Sequence, residues 1–227
     1  MDFLNQLLRV PIEQLPFYLV TLVIAFTVHE FSHAYFANKF GDPTAKLLGR
    51  VTLNPTVHFD LIGIILLLIA GFGWARPVPV NRDNFSKPRL MGVIVSAAGP
   101  LSNLLLGVLG TLIYVILIQF GILDAISNDK LLEAIRLFFG LFTLMNFFLF
   151  LFNLLPLPPL DGYRILEDIV PRSMFGTLKK FEQYSMFIFL LILVIPGLQR
   201  YTISPLYTAA HSMYMHFAKF FLMLMGA

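Results

Sequence analysis

His29, Glu30 and His33 stand within the run Ala25 to Ala34, inside an apolar stretch long enough to be a membrane helix. Two histidines four apart share one face of a helix, with Cβ atoms about 5–6 Å apart. Both imidazoles can then reach a single zinc ion, and Glu30 sits beside them as a possible general base. Two imidazoles and a carboxylate are expensive in hydrocarbon unless they serve a site. Two histidines also leave a vacancy, because a catalytic zinc takes three protein ligands and keeps one position open. The chain has no cysteine, so any further ligand must be His, Asp or Glu. Asp161 is the acidic residue outside the motif that lies directly against an apolar span and a helix-breaking turn. Aspartate is also a favoured N-cap, so the same position suits a cap for the helix that follows.

The elements that must position these groups are membrane elements. Of 227 residues, 58% are hydrophobic and only 13% charged, against about 45–50% and 25% in a soluble domain. A net charge of +3, scattered along the chain, excludes nucleic acid as a partner and leaves the lipid bilayer. The sequence predicts an all-α polytopic membrane protein, a single integral-membrane domain over residues 1–227. It has about five transmembrane helices, a re-entrant segment and a small membrane-associated β-sheet.

Residues 17–38, 91–120 and 131–155 read as spans, and residues 181–195 and 205–225 as two additional C-terminal apolar helices within 181–227. Residues 1–15 read as a short interfacial lead. Residues 61–73 are apolar but too short to cross, which makes them re-entrant or interfacial. Arg50, Thr52 and Asn54 alternate with Val51 and Leu53, a period of two that predicts a strand. A second strand is expected over residues 76–81, confined to a sheet edge because Pro77 and Pro79 have no N–H to give. Pro100 is expected to break its span, and Pro156, Pro158 and Pro159 end the next one.

Three segments together resemble the site-2 protease family of intramembrane zinc metalloproteases. They are His29-Glu30-Phe-Ser-His33, Gly99-Pro-Leu-Ser-Asn103 and Asn153-Leu-Leu-Pro-Leu-Pro-Pro-Leu-Asp161-Gly162. The resemblance covers residues 17–168, the metalloprotease core. It implies one Zn2+ per chain held by His29, His33 and Asp161, with Glu30 as catalytic base and Asn153 near the substrate carbonyl. Asn103 is read as substrate-binding, with hydrogen bonding between helices as its alternative. An extended substrate, a segment of a single-span membrane protein, is expected to pair with the edge formed by Arg50, Val51, Thr52, Leu53 and Asn54. A divalent-metal transporter that uses the His/Asp cluster as a transit site is the competing function. His58, His211 and His216 are expected to take no part in the metal site.

Topology adds a condition. The motif lies towards the C-terminal end of its span and Asp161 follows the end of another, so both ends must emerge on one side. That holds only if residues 61–73 do not cross. Lys39, Arg50, Arg82, Arg89 and Arg164 then gather on the side of the motif. Positive-inside bias turns the active site to the cytosolic side of the cell membrane.

Overall fold

Long unbroken apolar runs can satisfy their backbone in lipid only as helices, and helices are what the chain forms. In the computed structural model, the described residues are 11–70 and 73–226. Most of the interfacial lead expected over residues 1–15 therefore lies outside them, as do residues 71 and 72 of the short apolar segment. The long helix α1 (Leu15–Lys39) carries a proline in its first turn, where a missing N–H costs nothing. Gly41, at φ 101°, turns the chain out of it. There follow α2 (Thr44–Leu47), a 3₁₀ turn at Pro55–Val57 and α3 (Leu61–Ala70). After a second 3₁₀ turn at Arg82–Asn84 come α4 (Pro88–Gln119), α5 (Asp129–Asn153) and α6 (Asp161–Ile169). The chain closes with α7 (Phe175–Val194) and α8 (Pro196–Leu224).

Among the described residues, α1, α4 and α5 are each long and apolar enough to cross a membrane. The expected five spans become three, or four if α7 and α8 act as one, because those two meet at 88° and qualify only together. Lys179, Lys180 and Glu182 make the first half of α7 too polar to span alone. The bend falls at Ile195, whose extended backbone joins α7 to a helix that begins on Pro196. Helix α3 has 10 residues, a rise of about 15 Å against a hydrocarbon core of about 30 Å. It folds back, and Gly63 lies so close to the Trp74 carbonyl that an added Cβ would be 2.1 Å from it.

The expected β-sheet does not form. The described residues hold a single antiparallel bridge, Phe59 to Ala75, and no strand. Residues 50–54 alternate as read, with Val51 packed under Ala34, Ala45 and Val78 and Leu53 59% exposed. Local bonds nevertheless take the backbone elsewhere. Asn54 caps the next turn by accepting from the Thr56 N–H, and the Thr52 carbonyl is 2.8 Å from His58 Nε2. Arg50, Val51, Thr52, Leu53 and Asn54 thus form a bend instead of an edge. Residues 76–81 form no strand and have no partner strand among the described residues.

Helix α4 sits at the centre and runs straight through Pro100 as one helix of 32 residues, so the expected break is absent. Gly92, Ser96, Gly99, Asn103, Gly107 and Gly110 follow at steps of four and three, which puts them on one face. All are buried. Gly107 receives the Phe147 ring and Gly110 the Phe142 ring, both from α5. Across from them, Leu22 and Ala25 of α1, Met145, Phe147, Phe148 and Leu149 of α5, and Ala210 of α8 form the largest apolar cluster.

Candidate metal centre

Helix α1 delivers His29, Glu30 and His33, all buried, to one end of the bundle. Asp161 comes to the same point from α6. Gly162 makes the approach possible, since a Cβ there would lie 2.3 Å from the Leu154 carbonyl oxygen at the end of α5. Asp161 is the first helical residue and not the cap, because Leu160 holds the N-cap position. His29 Nε2 lies 3.0 Å and His33 Nε2 3.3 Å from Asp161 Oδ2, and the two Nε2 atoms are 3.1 Å apart. Gly99 of α4 closes the far side, where an added Cβ would be 2.3 Å from His33 Nε2 and 2.7 Å from His29 Nε2.

The outer ring nitrogens say where the protons are. His33 Nδ1 is 2.7 Å from the Val95 carbonyl oxygen, a pure acceptor, so this nitrogen carries N–H and donates. His29 Nδ1 donates in the same way to Asn103 Oδ1 at 2.7 Å. In the neutral rings both Nε2 atoms then present bare lone pairs. Asp161 Oδ2 presents another and has no hydrogen-bond donor of its own. Three acceptors at 3.0–3.3 Å repel one another unless a proton or a metal ion lies among them. An ion with tetrahedral bonds of about 2.0–2.1 Å spaces its ligand atoms by roughly this distance. The donor set, two imidazoles and a carboxylate, suits zinc. Among the described residues these three form the one grouping of His, Asp and Glu able to hold a metal.

Glu30 is held by main chain. Its Oε2 accepts from the Val78 N–H at 3.1 Å. Pro77 and Pro79 have no N–H, so Val78 provides the one donor in that run of three. The segment is fixed on both sides of Val78. The Arg50 guanidinium donates to the Arg76 carbonyl. Asp42 accepts from the Asn81 N–H and from Asn84 Nδ2, each at 2.7 Å. Burial lowers the affinity of Arg50 for its proton, and the nearby Glu30 charge opposes that effect.

The remaining residues singled out from sequence divide. Asn153, the last residue of α5, donates to the Leu149 carbonyl at 3.0 Å and lines the cavity that opens from the cluster. Asn103 is fully buried behind His29, with its Nδ2 donating to the Ala25 carbonyl at 3.2 Å and to Asn146 Oδ1 at 3.0 Å. That spends its hydrogen-bonding groups on α1 and α5 and not on the cavity. His58 is fully buried in the loop after Arg50, and His211 and His216 lie exposed on α8. Asn146 was not anticipated, although its position seven residues before Asn153 marks one face of α5. The cavity measures about 790 Å³. Its far wall comes from Phe148 and Phe152 of α5, Phe189 and Leu193 of α7 and Tyr207 of α8, so the C-terminal helices belong to the site as well.

The family description "Peptidase family M50" matches residues 17–136 and 121–196. The chain belongs to peptidase family M50. Among its relatives is YwhC of Bacillus subtilis (strain 168), whose name assigns it provisionally to the zinc metalloproteases. The two are 48% identical over 208 residues, 91% of this chain and 92% of YwhC. Rip2 of Mycolicibacterium smegmatis, named in the same provisional way, is 29% identical over 193 residues, 82% of this chain and 69% of Rip2. No solved structure matches the chain. The first M50 match extends well beyond the His29–His33 motif, and the second takes in Asn153, Asp161 and all of α7.

Proposed function

We propose that this peptidase is a zinc metalloprotease that cleaves single-span membrane proteins within or near their transmembrane segments. It holds one zinc ion through His29, His33 and Asp161 and faces the cytosolic side of the cell membrane. The observation that carries this reading is the convergence of three bare donor atoms beside Glu30 within a membrane helix bundle. When bound, zinc polarises a carbonyl and acidifies a water. Glu30, oriented by Val78, takes the proton of the attacking water and returns it to the departing amine. Asn153 gives one amide N–H to Leu149 and has a second to offer the oxyanion. The apolar far wall of the cavity suits side chains that come from lipid.

Replacement of Glu30 by Gln separates this function from metal transport. The amide still accepts from Val78 and leaves all three donors in place, so zinc stays bound. Cleavage of a panel of single-span proteins should fall by about 10²–10⁴-fold with loss of the proton carrier. Zinc flux through wild-type vesicles with no cleavage of any panel member would favour the transporter and overturn the protease.

A further inference from the structure

The asparagine chain behind His29 has a direction. It starts at the Phe142 carbonyl of α5, which can only accept and takes an N–H from Asn146 Nδ2 at 2.8 Å. With its amide so turned, Asn146 presents Oδ1 to Asn103 and accepts from Asn103 Nδ2 at 3.0 Å. The same Nδ2 also meets the Ala25 carbonyl of α1 at 3.2 Å, a second fixed acceptor. Asn103 therefore cannot flip its amide without setting its oxygen against two others. Its Oδ1 is left facing His29 Nδ1 at 2.7 Å, and only an N–H fits there. Both asparagines are fully buried, so water does not compete for these bonds.

We propose that Asn146 is a positioning residue for the metal centre: through Asn103 it fixes the proton of His29 on Nδ1 and leaves Nε2 free as a ligand. This rests on the zinc reading given above. Partners behind metal-bound imidazoles typically contribute 10–100-fold to metal affinity. Asn146 acts one bond further back: with the Ala25 carbonyl it opposes the alternative orientation of Asn103, and it ties the state of a ligand on α1 to the position of α5.

The test uses the full-length protein in detergent, with zinc affinity measured by chelator competition and the metal-free histidine tautomers by ¹⁵N NMR. Wild type should show His29 as the Nδ1–H form. Asn146→Leu keeps the branched outline and leaves the Ala25 carbonyl as the one acceptor that still opposes a flip of the Asn103 amide, so the His29 tautomers should mix and zinc affinity should drop about tenfold or more. Asn146→Asp, protonated when buried, can donate to Phe142 and accept from Asn103, and should restore both readouts. An Nε2–H form of His29 in metal-free wild type overturns the proposal without any variant. So does Asn146→Leu with unchanged tautomer and affinity. Wild type that binds no zinc overturns the metal site itself, and the tautomer measurement still decides the role of Asn146.

Discussion

Asp42 shows how one buried carboxylate away from the chemistry can govern it. It accepts from the Thr44 N–H and hydroxyl and from Asn81 and Asn84, and so joins the end of α1 to the segment that supports Glu30. Burial alone would raise its affinity for a proton; the four donors outweigh that and hold its carboxyl below the ordinary range. A depressed folded pKa contributes stability that is present above the unfolded value of about 4 and lost as the pH falls through the folded one. Asp42→Asn should cost about 2–3 kcal/mol at pH 7, since one donor must then face an amide N–H. The gap between variant and wild type in thermal unfolding should narrow once the pH drops below about 4. A gap that stays constant to pH 3 would show that the charge of Asp42 is irrelevant.

At the scale of elements, the small-residue face of α4 decides how near the other helices come. Gly99 is the critical member, since real Cβ contacts do not occur at 2.3 Å and both His29 and His33 lie within 2.7 Å of the added atom. Helix propensity would favour alanine here by about 1 kcal/mol, so Gly99→Ala should leave the helix intact and displace the imidazoles. Zinc content should fall far below one per chain with little change in helical signal. Gly110→Ala would press on Phe142 instead and should retain the metal while lowering stability. Full zinc content in Gly99→Ala would remove α4 from the account of the site. The metal-ligating candidates were legible from sequence because helical spacing and a proline turn are local signals. That the helix over residues 61–70 is too short to cross was legible from length alone. The sheet was misread because a period of two at residues 50–54 says which side chains are buried and nothing about a partner strand. Asn146 and the apolar wall from α7 and α8 were invisible for a related reason: they matter only through contacts between helices.

For the whole molecule, the paths of α1, α4 and α5 bring the end of α1, the start of α4 and the end of α5 to one level, where His29, His33 and Asp161 meet. Ten residues of α3 cannot reverse that arrangement. The natural absence of cysteine makes it easy to check. Single cysteines at Leu53 and Asp83 should react with an impermeant reagent from one side, the cytosolic one. A cysteine at Ser127, in the turn between α4 and α5, should react only from the other. Labelling of Leu53→Cys and Asp83→Cys from opposite faces would mean that the segment between them crosses, and the three donors could not then share an ion.

The bond from Val78 to Glu30 has a consequence for sequence drift. Because the donor belongs to the main chain, nineteen of the twenty amino acids can provide it at position 78, and only proline cannot. The identity of that residue is constrained by the space beside Ala34 and Ala45 and not by its service to the base. What the base requires is rhythm, a single amide between two rings that fix the backbone on either side. A sequence comparison that scores letters will see an unremarkable valine there, whereas one that scores the spacing of prolines after the short apolar helix will find the support of Glu30.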